Sequence, residues 1–165
     1  KTPNTNFALL VSEKFTEPFK EPIQYGQHIA RLANMLGGGI LVQRFGDLLD
    51  GRRSTPERIA SSVITPTLTC ATPGDLSLVI PYRQMTSIIE LLQALDKIAP
   101  GTASRYTLLY GIEVKFYSAR VKLTKELETE GVKNLFTIGD GAGVTRGLLQ
   151  ASASGVYVAR TICER

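Results

Sequence analysis

Gly139-Asp140-Gly141-Ala142-Gly143 puts a carboxylate among three residues that lack a Cβ. A chain can bend sharply at such a turn, and a ligand can approach its peptide groups closely. The preceding Asn134–Ile138 is a short apolar run, which predicts a buried strand. From Ala142 to about Ile162 the pattern is helical, so the unit is read as strand, glycine turn, helix. Unpaired amides and the positive end of the helix dipole favour phosphates at such an N-terminus. Asp140 is then either a helix cap or an acceptor for sugar and polyol hydroxyls. Thr145 and Arg146, one turn further on, could face the same ligand. Gly143, Gly147, Ala151, Gly155 and Ala159 recur every four residues, a small-residue stripe along one helix face. That stripe suits a flat ligand, or equally close packing with no ligand at all.

A strand ending in Gly-Asp and feeding a small-residue helix resembles the C-terminal FAD motif of two-dinucleotide-domain flavoproteins. The chain is similar, over nearly its whole length, to one largely uncharacterised group of them, the FAD-dependent (NAD/FAD-utilising) dehydrogenases. The specific stretches are LLYGIEVKFYS at 108–118 and GDGAGVTRGLLQASASG at 139–155. NTNFALLVS at 4–12, GRRST at 51–55 and PGDLSLVIP at 73–81 support them. The resemblance implies FAD as cofactor, with NAD(P)H as a possible electron donor and an unidentified small-molecule substrate. It assigns Asp140 to the flavin ribityl chain. Gly139, Gly141, Ala142 and Gly143 would offer amides to phosphate or a flavin carbonyl, with Thr145 and Arg146 beside them.

The Gly-x-Gly-x-x-Gly turn that holds the ADP half of FAD in that group has no counterpart here. Gly37-Gly38-Gly39 follows a helix pattern, and Gly141-x-Gly143-x-x-x-Gly147 lacks room for the acidic ribose ligand about 20 residues on. The chain also opens on Lys1. It is therefore read as the C-terminal portion of a flavoprotein whose N-terminal FAD-binding half is its first partner. Alone, the chain is expected to be colourless, inactive and prone to self-association.

The 165 residues are 43% apolar, enough for one ordinary domain or two small lobes. The longest apolar runs are too short to span a membrane, and no signal-peptide pattern is present, so a cytoplasmic protein is the default. A net charge of +4 and a pI near 9.2 permit anionic partners. The basic residues are scattered, which argues against a nucleic-acid surface. Cys70 and Cys163 form no close pair and suit a reducing compartment. His28 is alone, and no metal site is expected.

Along the chain, Phe7–Val11 is a candidate central strand, and a helix from about Ile23 stops at the triple glycine. Ile40-Leu41-Val42 leads a second strand. Asp47–Arg53 is polar and turn-like, and Ser54, Pro56 and Glu57 resemble a capping box. Arg52 and Arg53 are either a solvated pair or a clamp for carboxylate or phosphate. Leu76, Leu78 and Ile80 alternate as in a short strand, and Pro81 opens a helix with a stripe at Met85, Ile88, Ile89, Leu92 and Leu95. Ile112, Val114 and Phe116 read as one strand face, with Glu113, Lys115 and Tyr117 on the other and a partner strand at Val121–Leu123. Glu113 and Lys115 either pair in solvent or face a substrate cleft.

The class is mixed α/β (α+β). The resemblance divides it into an inserted substrate-side lobe, 1–106, and the closing part of a FAD-binding lobe, 107–165. Two other functions fit the residues: a non-redox nucleotide- or phosphate-binding module, and a basic domain contacting nucleic acid.

Overall fold

A computed structural model describes residues 3–116 and 119–165. Helices combine with a small three-stranded sheet, a mixed α/β class. Two compact units divide the chain, Lys1–Lys115 and Phe116–Arg165.

In the first unit, α1 (Pro22–Gly37) starts with proline in its first turn, where the missing N–H costs nothing. It stops at Gly38, whose φ of 67° lets its N–H reach back 2.7 Å to the Asn34 carbonyl. Strand β1 (Leu41–Arg44) follows and becomes the middle of the sheet. It pairs in parallel with β2 (Thr72–Pro73), Leu41 opposite Thr72. It pairs antiparallel with β3 (Leu108–Gly111), Leu41 opposite Gly111 and Arg44 opposite Leu108. Two short helices, α2 (Phe45–Leu49) and α3 (Pro56–Ala60), lie between β1 and β2 in the chain. The longer α4 (Tyr82–Asp96) follows. Leu41, Phe45, Leu76, Met85 and Leu92 are buried together in one core, with Ile88 and Ile89 half-buried against it. The stripe read from the sequence is thus the inward face of α4.

Several expected strands are absent. Phe7–Val11 has no regular structure, and Phe7, Leu10 and Val11 are exposed; only Leu9 packs against the core. A continuous apolar run needs neighbouring strands to bond its backbone, and no strand among the described residues pairs with it. Leu76–Leu78 forms a 3-10 turn because the Asp75 carboxylate caps it, accepting from Ser77 N at 2.9 Å. Ladder pairing ends at Gly111, so Ile112–Phe116 lies beyond β3; Tyr117 and Ser118 lie outside the described residues.

The second unit holds α5 (Leu148–Cys163) and a set of turns in place of the expected strands. Leu123 meets Thr129, and Glu128 meets Phe136, through single bridges only. Asn134 takes φ 61°, a left-handed conformation outside the strand region, and the residues after it make one isolated bridge, at Phe136. Among the described residues, no helix is long and apolar enough to cross a membrane.

Candidate functional site

The glycine turn is real, and its geometry differs from the one expected. Gly139 takes φ 73° and Gly143 φ 68°, bracketing a 3-10 turn at Asp140–Ala142. Helix α5 begins at Leu148 rather than Ala142, so no helix N-terminus opens on the turn. Instead, the Asp140 Oδ1 accepts from Thr145 Oγ1 at 2.6 Å and from Gly147 N at 3.3 Å. Those bonds tie the carboxylate to the segment leading into α5, much as a capping residue would. Ala142 is buried, Asp140, Gly141 and Arg146 are exposed, and Gly139, Gly143 and Thr145 are half-buried. Around Gly141, a Cβ would meet nothing within 4 Å, so that peptide is approachable.

Ser154, which the sequence reading did not single out, fixes the turn to the helix. Its buried hydroxyl accepts from Gly139 N at 3.0 Å and donates to the Ala151 carbonyl at 2.7 Å. A serine next to the small-residue stripe was the available signal. The stripe itself is shorter than expected, since Gly143 lies outside the helix. Ala151 and Gly155 face the Ile138–Gly139 segment. A Cβ on Gly139 would lie 3.7 Å from Ala151 Cβ, and one on Gly155 would lie 3.6 Å from Ile138 Cδ1. Those are ordinary packing distances, and packing accounts for this part of the stripe.

Gly147 is extended, with φ 177°, and an added Cβ there would crowd only the end of the Gln150 side chain. Gly147→Leu is therefore expected to cost less than about 1 kcal/mol, because that flexible carboxamide can rotate away. Urea denaturation checks this; a loss of several kcal/mol would mean that the stripe is closely packed at Gly147 too.

In the first unit, Arg52 does more than the clamp reading required. Asp47 is fully buried, and Arg52 Nε lies 3.0 Å from its Oδ1. Arg44 Nε lies 3.2 Å from its Oδ2, and Ser54 Oγ donates to that oxygen at 2.8 Å. The Ser54 hydroxyl accepts in turn from Arg44 N at 2.9 Å. Ser54 is thus committed to Asp47, and the cap of α3 falls to Thr55, whose hydroxyl accepts from Arg58 N at 3.3 Å. The Thr55 hydroxyl also holds the Glu57 carboxyl below the usual carboxylate range. Arg53 is exposed, and its carbonyl accepts from Arg58 Nη1 at 2.9 Å. Asp50 bonds Arg105 at 2.6 Å, which, with Coulomb attraction from Arg105, Arg52 and Arg44, lowers the Asp50 pKa.

Glu113 and Lys115 pair with each other at 3.3 Å, both well exposed. Cys70 and Cys163 are exposed free thiols. Among the described residues, no group of three or more His, Cys, Asp or Glu is placed to hold a metal ion.

No family model matches the chain. It is 31% identical over 173 aligned positions to an uncharacterised protein of Clostridium beijerinckii, across 98% of this chain. The chain spans 31% of that relative's length.

Proposed function

We propose that the chain is part of a flavin-dependent oxidoreductase and supplies the Gly-Asp turn that holds the ribityl portion of FAD. One observation carries the reading: an exposed carboxylate, Asp140, sits in a turn bracketed by two left-handed glycines, beside the open Gly141 peptide. Asp140 would accept from ribityl hydroxyls while the Gly141–Gly143 amides meet phosphate or a flavin carbonyl. The fit extends to that turn alone, because α5 starts five residues beyond Gly143 and its amides do not reach it. When bound, FAD would supply the hydride chemistry, while these residues bind and orient it. Arg146 adds a positive charge beside the turn, a setting that favours the anionic reduced flavin. The whole protein would take a small-molecule substrate in the cytoplasm, a compartment that suits the two free thiols.

The test is flavin retention by the longer polypeptide that contains this chain, read from absorbance after gel filtration. Asp140→Ala should leave a polyol hydroxyl unpaired and weaken retention by roughly 1–3 kcal/mol, about five- to 150-fold. A longer protein that carries no flavin, or an Asp140→Ala variant that retains it fully, would remove the turn from any flavin site. Tight, flavin-free binding of a nucleotide at the same turn would point to a binding module without redox chemistry.

A further inference from the structure

Positive charge gathers around α2 in a way that the fold alone does not require. Asp47 Oδ1 is shared by Arg52 Nε at 3.0 Å and Arg58 Nη1 at 3.9 Å, while Arg44 approaches the other oxygen. Asp50 Oδ2 is likewise shared, by Arg52 Nη2 at 3.1 Å and Arg105 Nη2 at 2.6 Å. Arg53, next in the chain and exposed, accepts from Arg58 Nη1 through its backbone carbonyl at 2.9 Å. Four guanidinium groups, those of Arg44, Arg52, Arg58 and Arg105, therefore meet two carboxylates, leaving a surplus of two positive charges.

Each guanidinium without a matching carboxylate adds repulsion among its like-charged neighbours. Buried Asp47 does something further: it fixes the heads of Arg52 and Arg58 side by side. Both remain open to solvent, with side chains 46% and 38% exposed. Arg52 Nη1 and Arg58 Nε and Nη2 have no protein partner among the described residues, and neither does the Arg53 head. A guanidinium presents its donors in a planar fork that matches carboxylate and phosphate oxygens.

We propose that Arg52, Arg53 and Arg58 form a binding site for a dianionic oxyanion, a phosphate monoester or a dicarboxylate, on a small ligand. The charge of such a group equals the surplus. Arg44 and Ser54 act as positioning residues that keep Asp47 in place beneath the site. The site does not rest on the flavin reading, and either can fail without the other.

The guanidinium Nε–Hε NMR signals of the intact chain report binding directly. Inorganic phosphate and malonate would each be titrated at constant ionic strength, since exposed charges are screened by salt. The expected result is saturable shifts at Arg52 and Arg58 at millimolar concentration or below. Preference for phosphate would assign a phosphate ester, and preference for malonate a dicarboxylate. Arg53→Ala should weaken binding about tenfold, as loss of one charge-assisted contact does. Arg53→Lys, which keeps the charge and loses the fork, should fall between. Arg31→Ala, on the exposed face of α1, should bind like the parent protein. Absence of saturation with both anions, or equal binding by Arg53→Ala and the parent, would overturn the site.

Discussion

Replacing Asp47 with alanine is expected to destabilise the first unit by about 3–5 kcal/mol, the range for removing one partner of a buried charge cluster. The Asp47 side chain is wholly enclosed. Its loss removes the carboxylate beside Arg44 Nε, in a side chain only 14% exposed, and deprives the buried Ser54 hydroxyl of its acceptor. Arg44 Nε makes no hydrogen bond of good geometry even with Asp47 present, so Coulomb attraction alone compensates it. Asp47→Asn should recover part of the loss, since it keeps the shape and one acceptor while removing the charge. Urea unfolding followed by circular dichroism measures both variants, with the midpoint falling and the slope unchanged. A shift below about 1 kcal/mol for Asp47→Ala would mean that the arginines are held by solvent and not by this carboxylate.

Gly143→Ala should strike the second unit. Gly143 sits at φ 68°, where an alanine is strained. Its added Cβ would also lie 2.9 Å from the Arg120 Cα and 3.2 Å from the Ala119 carbonyl oxygen. Those are backbone atoms, which cannot rotate aside as the Gln150 side chain can. Strain and overpacking together suggest roughly 2–4 kcal/mol. The Val121 N to Ala142 O bond, 3.3 Å long, spans the same contact and should open with it. Hydrogen exchange at Val121 tests this: protection equal to the parent's would show that the turn accommodates a side chain. The contrast with Gly147, four residues on, isolates backbone contact as the cause.

What could be read in the sequence follows from which forces act locally. Helices α1 and α4 were legible because each carries a 3.6-residue apolar period with proline at its start and glycine at or just beyond its end. Strand β1 was legible as a short apolar run after the triple glycine. Phe7–Val11 and Asn134–Ile138 show the same signal without forming strands, because pairing depends on distant residues that a local pattern does not contain. The glycine turn was legible, and the start of α5 was not. Val144 to Gly147 continue the helical pattern, yet Asp140 binds Thr145 and Gly147 and holds that stretch out of the helix. Asp47 was read as one more polar turn residue. Its burial is set by three arginines and a serine that close around it only in the fold.

The sheet carries a kinetic consequence. No two of its strands are joined by a hairpin: β1 meets β2 across 31 residues and β3 across 70, counted at Leu41. Each pairing must close a long loop before its hydrogen bonds and the apolar contacts of Leu41 and Val42 begin to compensate the lost chain entropy. Helices α1 and α4, whose contacts are local, can form and dissolve many times in the interval. The sheet should therefore be largely unformed until late on the folding path, and substitutions within β1 should act mainly on the unfolding rate while changes that slow loop closure act on folding.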